Sequence, residues 1–168
     1  MDHPSLYDDD IVTWAEQQAA ALRALGTRAD LSNALDWENV AEEIESLGRS
    51  QIQGVESALT LVLVHVLKYL SAPAAPSCRS WRVEVLTYQT AARRNYRRAM
   101  RQRIDWEDLW VTARKSADAE LRLFGDRLIN GLPDRMPFEP DELVSRDFDM
   151  DRALERLASA MEIPGDHH

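Results

Sequence analysis

Glu42, Glu43 and Glu45 fall within one helical turn, and they are the first residues of this 168-residue chain whose type and spacing could do chemistry. Clustered carboxylates can ligate a hard cation or divide acid and base work between them. Their ordinary role is a solvated helix face. A carboxylate-bridged metal bundle needs Glu-x-x-His pairs on two helices, and no glutamate here is followed by a histidine three positions later. His65 is the one histidine away from the ends, since His3 sits at the start and His167 and His168 form the tail. The sequence therefore points to no metal, no cofactor and no catalytic set.

His65 and Lys68 are the sharper pair. They lie three residues apart in a run that is otherwise apolar on every side, Ala58-Leu59-Thr60-Leu61-Val62-Leu63-Val64-His65-Val66-Leu67-Lys68-Tyr69-Leu70, so both heads must be aimed at specific groups. A buried cation needs a partner. On a straight helix Glu43 stands roughly 33 Å from His65 at about 1.5 Å per residue, so the partner has to come from another helix, with Glu16, Glu84 and Glu120 as candidates. One outcome is an internal ion pair and a hydrogen-bonded core histidine that set helix register. The functional alternative is a small polar pocket for an anion or polar ligand, closed by Arg79-Ser80-Trp81. The candidate pocket set is Glu42, Glu43, His65, Lys68, Arg79, Ser80 and Trp81.

The third feature is charge. Residues 79–103 hold eight arginines against the single acid Glu84, a local balance of +7 that leaves −16 for the rest of a chain with net charge −9. Carried on one continuous helix, Arg82, Arg93, Arg94, Arg97, Arg98 and Arg101 share a sector of about 160° at 100° per residue. Such a stripe could follow a phosphate backbone. No helix-turn-helix, zinc-finger or RNA-binding motif accompanies it, and the acidic chain repels nucleic acid at long range. The stripe is expected to meet acidic surfaces of the same chain, such as residues 8–10 or Glu107 and Asp108, or of a partner protein. No Gly-x-Ser-x-Gly or phosphate-cradling glycine loop is present, and Cys78 is a lone cysteine at a loop-helix junction.

The elements that must position these groups are helical throughout. Asp8, Asp9 and Asp10 offer an N-cap to a first helix carrying Ile11, Trp14, Ala15, Gln18, Ala19, Leu22 and Leu25, which Gly26 ends. Asp36 caps the next, where Trp37, Val40, Ala41, Ile44, Leu47, Val55, Ala58, Leu59, Val62, Val66 and Tyr69 keep one helical phase. That unbroken phase predicts one long helix through Gly48. Pro73 and Pro76 force a loop. Ser77 or Ser80 opens a third helix with the apolar line Trp81, Val85, Tyr88, Ala92, Ala99 and Met100. Asp105, with Asp108 three residues on, opens a fourth with Leu109, Val111, Ala113, Ala117, Leu121, Phe124 and Leu128 inward, ended by Gly131. A proline-punctuated stretch over 133–140, a short turn at 141–144 and a last helix near 149–161 complete the chain. The fold class is all-α, an irregular four- to five-helix bundle around a long central helix. Residues 1–168 read as a single helical domain with a core over about 6–148, a C-terminal helix over about 149–162 and a short tail.

Composition narrows the classes. An apolar fraction of 45% in 168 residues supports a buried core, as expected for one domain of this length. One cysteine excludes an internal disulfide and fits a reducing, cytoplasmic setting. The acidic N-terminus lacks the basic lead of a secretory signal. The apolar run 58–67 is shorter than the roughly 20 residues of a membrane span, so no membrane association is expected.

Four pieces of sequence resemble the bacterial family catalogued as domain of unknown function twenty-nine: Glu42-Glu43-Ile44-Glu45-Ser46-Leu47-Gly48-Arg49-Ser50, His65-Val66-Leu67-Lys68-Tyr69, Arg79-Ser80-Trp81-Arg82 and Met136-Pro137-Phe138-Glu139-Pro140. The resemblance covers roughly residues 6–148 and implies a helical bacterial protein without an assigned activity, substrate or cofactor. The chain departs from the family pattern at Arg101-Gln102-Arg103-Ile104-Asp105-Trp106, where a Pro-Ser-Leu-like junction is expected. Taken together, the sequence favours a protein-interaction module whose partner is a second copy or another chain. A nucleic-acid-associated protein is the alternative, and a small-ligand or anion binder around His65 and Lys68 is the third reading.

Overall fold

The computed structural model describes residues 5–31 and 33–162, with the side chain of Glu162 excepted. The terminal histidines His3, His167 and His168 lie outside them. Seven α-helices, one 3-10 turn and no strand are found among the described residues. In chain order the helices are α1 (Leu6–Asp9), α2 (Ile11–Gly26), α3 (Trp37–Ser71), α4 (Cys78–Asn95), α5 (Trp106–Arg122), α6 (Pro140–Leu143) and α7 (Met150–Glu162), with the 3-10 turn at Arg98–Gln102. The fold is all-α with a long helix, as the periodicity predicts.

Local signals set most boundaries. Asp10 caps α2 by accepting from the Thr13 amide at 3.0 Å, and Asp105 caps α5 through the Asp108 amide at 2.9 Å. Asp36 receives the Asn39 amide at 3.3 Å ahead of α3, and Asp149 receives the Arg152 amide at 3.0 Å ahead of α7. Each satisfies an amide that the first turn leaves without an intrahelical acceptor. α5 differs from expectation at its other end. It stops at Arg122, because Gly125 adopts φ +81° and lets the Asp126 amide reach back to the Leu121 carbonyl at 3.0 Å. This left-handed glycine is the helix stop, so Gly131 is not, and Phe124 leaves the apolar line to stand 81% exposed.

Backbone contacts divide the chain into two units, Met1–Gly54 with Asn95–Ile104, and Val55–Arg94 with Asp105–His168. In the first, α2 lies close to the N-terminal half of α3, where buried Gly48 leaves room for a Cβ that would sit 3.5 Å from the Ala15 methyl. The close approach of α2 therefore does not depend on glycine at this position. Arg103 ties the 3-10 segment to α2 by a bidentate bond to Glu16 at 2.9 and 2.6 Å.

The second unit holds most of the core. Leu59, Val62, Leu63, Val64, Val66 and Leu67 are each at most 1% exposed, so this half of α3 is buried all round. By length and composition α3 could cross a membrane, yet its apolar half is covered by the protein itself. α4 runs antiparallel to it: Lys68 lies over Trp81, and His65, one turn earlier, stacks on Tyr88, two turns later. The expected face of α4 is therefore the packed one, with Trp81, Val85 and Ala92 buried, whereas Ala99 and Met100, expected on the same line, fall beyond Asn95 in the 3-10 turn. Gln89 joins them, donating to the Leu143 and Ser145 carbonyls at 3.1 and 2.8 Å, which fastens α6 and the turn after it to α4.

Candidate functional site

The two polar side chains of buried α3 find different partners. The His65 Nδ1 lies 2.6 Å from the Leu61 carbonyl one turn back. Its Nε2 is 3.6 Å from Glu84, and the ring stacks on Tyr88 at 5.9 Å between centroids. With Nδ1 on a backbone carbonyl and the ring stacked on Tyr88, His65 is 8% exposed. Lys68 pairs with Glu120 of α5 at 3.0 Å and sits 5.0 Å above the Trp81 ring. Of the three candidate partners, Glu84 and Glu120 are those used, and Glu16 is taken by Arg103.

Lys68 and Trp81 also border a cavity of about 230 Å³, with Ala75, Pro76, Ser77, Leu121, Phe124 and Asp126 as its other walls. α3 supplies its cationic end and α4 its aromatic wall, and the turn after α5 forms its rim. That turn is well held: Asp118 accepts the Leu128 amide at 3.0 Å and Arg122 at 2.7 Å, and these bonds keep its carboxyl below the ordinary range. The Ser71 hydroxyl accepts the Ile129 amide at 3.0 Å.

Of the candidate pocket set, the structure brings Lys68 and Trp81 together and leaves the rest apart. Arg79 and Ser80 are exposed and do not line the cavity. Glu42 and Glu43 belong to the other unit. There Arg23 of α2 reaches Glu38 at 3.0 Å, Glu42 at 3.6 Å and Glu45, and Arg49 reaches Glu42 at 2.6 Å. Glu42 and Glu45 thus mount guanidinium groups, and Glu43 stands exposed. The hydrogen bond from Arg23 holds the Glu45 carboxyl below its ordinary value, the reverse of what a general acid needs.

The exposure of its partner limits what Lys68 contributes to stability. Glu120 keeps 45% of its side chain exposed, so truncating the lysine strands no buried carboxylate. Lys68→Ala is expected to cost about 1–3 kcal/mol through the lost ion pair and ring contact, below the cost of opening a fully buried pair. His65→Leu should cost less than Lys68→Ala in paired thermal melts.

The arginine stripe does not survive as one surface. α4 ends at Asn95, and Arg97 is extended at φ −125°, ψ 147°, so the helical phase that would align Arg97, Arg98 and Arg101 with Arg82, Arg93 and Arg94 is lost. Arg82 is engaged by Asp151 at 2.8 Å and Tyr69 at 3.1 Å, and Arg103 by Glu16. Asp151 and Glu16 are thus acidic partners that the sequence does not suggest, while Asp10, within the expected residues 8–10, adds its charge beside Arg103. Sequence spacing held no signal for either, since the pairs are 69 and 87 residues apart.

Sequence reasoning also missed a second, acidic cavity of about 480 Å³ where Glu56 meets Asp105 and Asp108. Burial first, then the two aspartates, push the Glu56 carboxyl above its ordinary value. A raised carboxylate pKa means that ionised Glu56 weakens the folded state at neutral pH, and that the loss is relieved as pH falls through the raised value toward the ordinary one. Glu56→Gln should therefore melt higher than wild type at pH 7, with the difference vanishing in acid.

The family model described as Domain of unknown function DUF29 matches residues 6–149, in close agreement with the span read from the motifs. A similar solved structure is that of an alpha-helical protein of unknown function from Rhodospirillum rubrum. It is 36% identical with a TM-score of 0.84, over 93% of this chain and 99% of that one. No curated protein matches the chain.

Proposed function

Because the chain belongs to the family described as Domain of unknown function DUF29, its role has to be argued from its own surface, and we propose that it is a cytoplasmic protein-interaction module that presents the outer face of α4. The observation that carries this is the pair Val83 and Leu86, 62% and 68% exposed. They stand three residues apart on one face, with exposed Arg79 toward its N-terminal end. Aliphatic anchors at i and i+3 are the pattern of a helix that docks in an apolar groove, and Arg79 suits a groove with an acidic rim. The opposite face of α4 is consumed by the core, which leaves this face for a partner.

The test is site-specific photo-crosslinking from position 83 in the native host, with Leu86→Glu as the control. A single dominant crosslinked protein whose adduct disappears in Leu86→Glu supports the reading. Crosslinking spread over many proteins, or unchanged by Leu86→Glu, overturns it.

Nucleic acid is the weaker reading, because Arg82 and Arg103 are engaged by acids of the chain itself and the shared helical phase ends at Asn95. Duplex DNA is expected not to bind at about 50 mM salt, where a phosphate-tracking surface would bind detectably. A fluorescence-anisotropy titration checks this.

A further inference from the structure

We propose that the cavity between Lys68, Trp81 and Asp126 binds a free α-amino acid with an apolar side chain. Three features converge on that chemistry. The Lys68 ammonium, 9% exposed, carries three donors, and among the described residues Glu120 accepts one of them. The other two are available at the buried end of the cavity to an acceptor such as a carboxylate. At the exposed rim stands Asp126, for which no ion pair is found among the described residues. It offers a carboxylate to an ammonium. Between the charges the wall is apolar, built from Trp81, Leu121 and Phe124.

Matching each charged end of the cavity with an opposite group selects the zwitterion. Glu120 already neutralises Lys68, so an added monocarboxylate would leave the region with excess negative charge beside Asp126, and a simple amine would leave the buried donors without an acceptor. An α-amino acid satisfies both ends and adds no net charge. The volume of about 230 Å³ is below the roughly 300–1,000 Å³ of pockets for drug-sized ligands, which suits a molecule the size of leucine or phenylalanine. Phe124, 81% exposed where a large aromatic is normally covered, closes over the bound side chain.

The experiment titrates the full-length protein by calorimetry with leucine, phenylalanine, glutamate, 3-methylbutylamine and 4-methylpentanoate. Leucine or phenylalanine is expected to bind with Kd below about 1 mM and to raise the melting temperature in a concentration-dependent way. The amine, the acid and glutamate should each bind at least about tenfold more weakly. Asp126 is exposed, so Asp126→Asn should fold normally, lose about tenfold in affinity for the amino acid and bind 4-methylpentanoate more tightly than wild type does. Phe124→Ala should weaken phenylalanine while leaving the apo melting temperature unchanged. Absence of heat and of any melting shift with every apolar amino acid overturns the proposal. Binding of 3-methylbutylamine as tight as leucine, or leucine affinity unchanged in Asp126→Asn, overturns it equally. None of these outcomes depends on the outer face of α4.

Discussion

Replacing Trp81 with alanine is expected to destabilise the protein by about 3–5 kcal/mol, the range for deleting a large buried aromatic. Trp81 is 8% exposed and packs with Ala72 and Leu121, flanked by Tyr69 and Cys78. It also lies under the Lys68 ammonium. Alanine leaves a void beside the cavity that Trp81 already borders, and the Lys68–Glu120 pair fixes the spacing of α3 and α5 at that level. For a chain of this length the loss should lower the melting temperature by about 10 °C. Arg79→Ala, two residues earlier on the exposed side of the same helix, should change stability by less than about 0.5 kcal/mol. Differential scanning calorimetry on the two variants separates the anchoring face of α4 from the presented one. Melting of Trp81→Ala at the wild-type temperature would contradict the packing described.

Trp110→Ala should have an effect of similar size for a second reason. Trp110 is fully buried, its indole Nε1 donates to the Pro133 carbonyl at 2.9 Å, and the Arg114 guanidinium lies 5.7 Å above its ring. Alanine deletes the side chain and releases the proline-rich segment from α5. The expected cost is again about 3–5 kcal/mol, accompanied by faster proteolytic cleavage between residues 130 and 139. Trp110→Phe keeps most of the apolar volume and removes the hydrogen bond, so it should cost about 1–2 kcal/mol. If alanine and phenylalanine melt alike, packing contributes little and the indole bond carries the effect.

Sequence by itself determined the all-helical class, the start of each long helix and the buried face of α4, because these follow from local rules. A cap acts over three residues and a helical phase over four, so Asp10, Asp36, Asp105 and the line Trp81, Val85, Ala92 were legible without any neighbour. The errors arose where reach exceeds that range. Trp110 shares the helical phase of Ala113, Ala117 and Leu121, but the carbonyl that its indole needs comes from Pro133, 23 residues on, and Leu47 lies on the line of α3 yet is 41% exposed. Only the tertiary structure decided the charges. An arginine or lysine head can sweep several ångströms and meets many carboxylates in a chain with 29 acids, so its partner is selected by which helices pack. That packing gave Arg23 to Glu45, Lys68 to Glu120 and Arg82 to Asp151, and it turned an apparent carboxylate site into a structural ion-pair network. The cavity beside Lys68 has the same origin, since its walls come from α3, α4 and the turn after α5, and no stretch of the chain contains them together.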